Sequence, residues 1–81
     1  MIVKLLLFAA AKEIAGAEQM EVSLDDEATI GDLKQFLADK HPSLKDLIDK
    51  STFAVDQEYV RDEKVLYHEA EVGFIPPVSG G

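Results

Sequence analysis

The sequence predicts an α+β roll: a mixed sheet of about four to five strands with one main helix across a face. Three observations predict it. Met1–Ala9 is an apolar run rich in Val, Leu and Phe. Met20, Val22 and Leu24 alternate with Glu21, Ser23 and Asp25, the period of a strand with one wet face. Ile30, Leu33, Phe36 and Leu37 recur at helical spacing.

Met1–Ala9 is expected as a strand buried on both faces or central in its sheet, because its apolar character is nearly continuous. Ala10–Ala17 reads as a turn or short helical link, with Gly16 free to take positive φ. Met20–Asp25 then pairs back on the first strand as a hairpin. Thr29 is placed to cap the main helix, with Asp32 three residues on as the other half of a capping box. Lys40 and His41 suit the negative end of the helix dipole, and Pro42 stops the helix. Ser43–Lys50 is expected as a short helical turn capped by Ser43. Thr52–Val55 and Glu58–Val60 pair across Asp56-Gln57, a hairpin turn that lacks the favoured glycine. Val65–Tyr67 is a further short extended piece. Glu71–Ile75 is the last strand, suited to lie beside the first. Two hairpins joined by a helix across one sheet face make a roll of the β-grasp type.

Eighty-one residues make one domain with a thin core. That leaves little room for a deep substrate cavity. There is no cysteine, hence no disulfide, thiol nucleophile or thiolate-bound metal. No segment reads as a signal peptide or membrane span, and a cytoplasmic protein is expected. Sixteen acidic residues against eight basic give a net charge of −8, which repels a phosphate backbone and an anionic membrane surface. It attracts partners with basic surfaces.

The usual catalytic constellations are missing. No serine sits in a nucleophile elbow. His41 reads as a helix-end residue and His68 as a solvated one. His68, Glu69 and Glu71 come closest to metal-ligand spacing, but two exposed acids beside one histidine read as surface, and no metal site is expected. Gly16 and Gly31 stand alone, so there is no phosphate cradle.

The ending Pro76-Pro77-Val78-Ser79-Gly80-Gly81 carries the functional signal. A glycine pair passes a channel that any side chain would block, and two prolines hold the path stiff. The expected organisation is a domain over 1–75 and an extended, flexible tail over 76–81. The reactive group is the Gly81 carboxylate. A carboxylate is a poor electrophile; conversion to an acyl-adenylate supplies a leaving group, and a sulfur donor can then make a thiocarboxylate. Phe74 and Ile75, at the base of the tail, are expected as exposed apolar partner contacts.

The chain resembles the small subunit of molybdopterin synthase, a sulfur carrier of the ubiquitin-like β-grasp family. The residues that carry the resemblance are Ile2–Ala9, Ala28–Leu33, Phe53–Val60 and, most specific, Val72–Gly81 with its Phe74-Ile75-Pro76-Pro77-Val78-Ser79-Gly80-Gly81 ending. The family often has Asn at the position of Asp56 and Gly-Asp at that of Glu69-Ala70, both turn positions. The resemblance implies that a ubiquitin-activating-like enzyme adenylates Gly81 with ATP and that a sulfur donor protein converts it to the thiocarboxylate. It implies that the tail then enters the large synthase subunit, which makes the molybdopterin dithiolene from a pyranopterin precursor, in a heterotetramer. On this reading the chain binds no cofactor and is not catalytic alone. Other ubiquitin-like sulfur carriers, for thiamine synthesis or tRNA thiolation, a protein modifier, and an inert β-grasp interaction module remain the alternatives.

Overall fold

A computed structural model describes residues 1–77. Ile2–Leu7 forms strand β1, Ala9–Ala15 helix α1, Gln19–Ser23 strand β2 and Ile30–Lys40 helix α2. A 3-10 turn at Pro42–Leu44 leads into helix α3, Lys45–Lys50. Thr52–Val55, Glu58–Val60 and Glu71–Ile75 form β3, β4 and β5. The strands make one mixed sheet in the order β2-β1-β5-β3-β4. β5 runs parallel to β1 and antiparallel to β3, so the last strand lies at the centre.

β1 buries one face only. Val3, Leu5 and Leu7 point into the core, while Ile2 and Lys4 are exposed and Leu6 is half-buried. Of the two expectations for this strand the central position holds, since β1 lies between β2 and β5, while burial on both faces does not: α2 and α3 contribute to the core on one side of the sheet, and the other side of β1 carries the exposed Ile2 and Lys4. The core joins these β1 residues to Val22, to Ile30, Leu33 and Leu37 of α2, to Ile48, and to Phe53, Val55, Val72 and Phe74. The Phe53 and Phe74 rings pack with centroids 4.8 Å apart and planes tilted by 34°.

Local chemistry sets the element ends. Thr29 caps α2 by the expected capping box: its hydroxyl accepts from the Asp32 N–H at 3.2 Å, and its own N–H donates to the Asp32 carboxylate at 2.9 Å. Gly16 closes α1 at φ 73°, a left-handed conformation that costs glycine nothing. The link before β2 is thus a true helix, and β1 and β2 pair across it rather than by a tight turn. Ser43 caps no helix; it lies inside the 3-10 turn, which begins at Pro42. Val65–Tyr67 makes no strand, only a single bridge from Val65 to Thr29. Asp56 and Gln57 form the β3–β4 turn with φ 49° and 72°, the left-handed pair that a two-residue hairpin demands.

Candidate functional site

The tail leaves the sheet from its central strand. β5 is paired on both sides, with Phe74 opposite Leu7 on β1 and opposite Phe53 on β3. The Phe8 N–H donates to the Phe74 carbonyl at 3.3 Å, which carries the pairing one residue past β1. Beyond Ile75 the chain continues into Pro76, which is buried, and Pro77, which is exposed. Of the expected tail of 76–81, only Pro76 and Pro77 lie among the described residues. A groove beside Pro76 and Pro77 is formed with Phe8, Ala9, Ala10 and Glu13. Val78, Ser79, Gly80 and the expected reactive Gly81 lie outside the described residues.

Phe74 is not a surface contact. It is fully buried, because the alternation of β5 turns Val72 and Phe74 toward the helices. Ile75 takes the opposite phase and lies half-buried on the uncovered face of the sheet. There it belongs to a larger apolar surface. Phe8 and Tyr59 are exposed, at 46% and 74% of their surface, and with Leu6, Ala54, Gly73 and Ile75 they line a trough of about 290 Å³. Phe8, Leu6, Tyr59, Ala54 and Gly73 were not legible as site residues. The signal that could have found them is the second phase of β1, where Ile2, Leu6 and Phe8 are apolar but alternate with the core set.

The charges are arranged differently. Asp25, Asp26, Glu27, Asp32 and Asp39 line a groove of about 650 Å³, together with Gln35 and Phe36. It starts at the Ser23–Ile2 end of the sheet, opposite the end from which the tail departs. Nearer the tail, Lys12 donates to Glu18 at 2.9 Å, and that hydrogen bond and charge hold the Glu18 carboxyl below its usual range. His68 accepts the Ile2 N–H through Nδ1 at 3.1 Å, a structural contact the sequence did not suggest. Among the described residues no group of three or more His, Asp or Glu is placed to hold a metal ion. No helix there is long and apolar enough to cross a membrane.

The described residues present an apolar sheet face beside the strand that leads into Pro76 and Pro77. Comparison with known proteins fits that arrangement. The molybdopterin synthase sulfur carrier subunit of Chlamydomonas reinhardtii is 40% identical over 81 residues, covering 98% of each chain. The crystal structure of SAMP1, a small archaeal modifier protein of Haloferax volcanii, superposes with a TM-score of 0.89 at 28% identity over the whole of both chains. Subunit 1 of the molybdopterin-converting factor of Helicobacter pylori, solved in a complex with subunit 2, shares the fold with a TM-score of 0.75 at 21% identity. The alignment with each structure covers 100% of this chain. The model of the ThiS family matches residues 5–81, from the middle of β1 through the glycine pair, and the chain belongs to that family.

Proposed function

We propose that this chain is the sulfur carrier subunit of a molybdopterin synthase. The observation that carries the reading is similarity over 98% of the chain to relatives named for that role, together with a family model that runs through Gly80 and Gly81. Gly81 is the reacting residue. Its carboxylate attacks the α-phosphate of ATP in an adenylating enzyme, with pyrophosphate as leaving group. The outer sulfur of a persulfide on a donor protein then attacks the acyl carbon and AMP departs, leaving an acyl disulfide; a thiol attacks the donor's sulfur of that S–S bond, so that the thiocarboxylate leaves and the thiol ends as a disulfide with the donor cysteine. Glycine leaves that carbon unobstructed, so the partners supply all the catalysis. ATP belongs to the activating enzyme, and the pyranopterin precursor to the large subunit. The setting is cytoplasmic.

The division of labour follows from the fold. Pro76 is anchored, so five residues, Pro77–Gly81, would span at most about 17 Å when extended. That reaches a buried site while the domain stays outside. Ile75, Phe8 and Tyr59 provide the apolar contact around the base of the tail, and Val78, Ser79 and Gly80 provide reach. A second reading is favoured by the likeness to SAMP1: a protein modifier whose activated glycine acylates a target lysine. Both readings share the adenylate and part afterwards.

The test is to incubate the chain with ATP and the adenylating enzyme of the same organism and to follow intact mass. An adenylate confined to the C-terminal peptide is expected. Its absence would remove the carrier and modifier readings together; with the sulfur donor protein then added, a lysine-linked product without thiocarboxylate would select the modifier.

A further inference from the structure

Lysines flank the base of the tail on two sides. Pro77 lines a groove with Ala10 and Glu13 of α1, and Lys12 is the residue before Glu13. A neighbouring groove, which includes Lys12, Glu18 and Gln19, shares Phe8 and Ala9 with the first. On the other side β3 begins where β5 ends, with Thr52 opposite Ile75. Lys50, the last residue of α3, lies two residues before Thr52. An extended Pro77–Gly81 spans about 17 Å at most. The least width of the molecule is 19 Å, so both amines fall within the reach of Gly81.

Their surroundings differ. The Lys12 side chain is half exposed, and its Nζ donates to Glu18 Oε1 at 2.9 Å. That hydrogen bond and charge hold the Glu18 carboxyl below its usual range, so it stays ionised beside the amine. An amine that forms an amide must shed protons, and a carboxylate in hydrogen-bond contact is placed to take one. Lys50 makes no ion pair among the described residues. It stands in the last turn of α3, where the carbonyl ends favour its ammonium form.

We infer that Lys12 is an internal acceptor for the activated terminus: when no sulfur donor takes it, Gly81 closes on Lys12 as an isopeptide ring. The inference rests on the reading that Gly81 is activated and adds where an undelivered acyl group goes. The Lys12 ammonium first gives one proton to solvent. The neutral Nζ adds to the Gly81 acyl carbon, Glu18 takes a second proton, and AMP leaves with the electron pair of the C–O bond. A C–N bond replaces it. The ring withdraws the terminus from every partner, so idle activated carrier switches itself off.

The test prepares the full chain as its Gly81 alkyl thioester, by intein cleavage, and follows intact mass at neutral pH. No enzyme takes part, so the result is independent of adenylate formation, on which the carrier reading stands or falls. The expected product is a monomer one water lighter than the free acid, with a proteolytic peptide that joins Gly81 to Lys12. It should form at least about tenfold faster than the thioester hydrolyses. Lys12→Arg should hydrolyse without closing. Glu18→Gln should close about tenfold more slowly, with hydrolysis unchanged. Closure onto Lys50, linked dimers in place of the ring, or hydrolysis alone overturns the assignment. Closure onto Lys12 that is as fast in denaturant as in the folded chain also overturns it, because the fold then contributes nothing. Wild-type closure in Glu18→Gln overturns the role of Glu18 as proton acceptor.

Discussion

Phe74 and Ile75 are adjacent and do opposite work. Phe74 is fully buried against Phe53, so Phe74→Ala should cost roughly 3–5 kcal/mol in chemical denaturation. Any loss of partner binding in that variant would report a failing fold. Tyr59, 74% exposed, separates the two effects. Tyr59→Ala should leave stability within about 0.5 kcal/mol of wild type and still weaken binding to the large subunit; equal binding would take Tyr59 out of the interface. At Glu18 the sign is set by Lys12. The hydrogen bond favours the carboxylate, so its stabilisation is present above the ordinary carboxyl range and fades as pH falls through the lowered folded value. Both groups are solvated, so Lys12→Ala should raise the Glu18 pKa in an NMR titration without a measurable change in thermal midpoint.

At the scale of elements, what was legible in the sequence is what local chemistry dictates. The capping box at Thr29 and Asp32, the stop at Pro42, the Asp56-Gln57 turn and the bounds of β3 and β5 all follow from residue types at fixed offsets. Thr29→Ala should therefore cost about 0.5–2 kcal/mol in denaturation experiments. A variant as stable as wild type would mean the cap is replaced by water. The misses are tertiary. The apolarity of β1 could not say that one face stays uncovered, because partner burial and core burial select the same residue types. For the same reason Phe74 reads as a surface contact beside Ile75: the sequence marks an apolar strand next to the tail, and only packing decides which of two neighbours joins the core. Pro76 reads as tail because it precedes the glycines, yet it is the last buried residue described.

At the scale of the whole molecule, the acidic groove and the apolar trough are lined by different residues. The acidic groove starts at one end of the sheet, and the tail departs from the other. The net charge of −8 therefore acts on a basic partner at long range more than through ion pairs at the trough. Association rates with the large subunit should fall as salt rises, since screening over about 8–10 Å removes long-range attraction first, while dissociation rates change little. Association independent of salt would remove the steering.

The central claim is that sulfur leaves this chain from Gly81. The most direct measurement mixes the chain, charged as its thiocarboxylate, with the large subunit and the pyranopterin precursor, and follows its intact mass. The account predicts that sulfur at the C-terminal glycine is exchanged back to oxygen as dithiolene forms, and that a chain lacking Gly80 and Gly81 folds normally but supplies none. Dithiolene formed with the truncated chain, or a thiocarboxylate that persists through turnover, would contradict it.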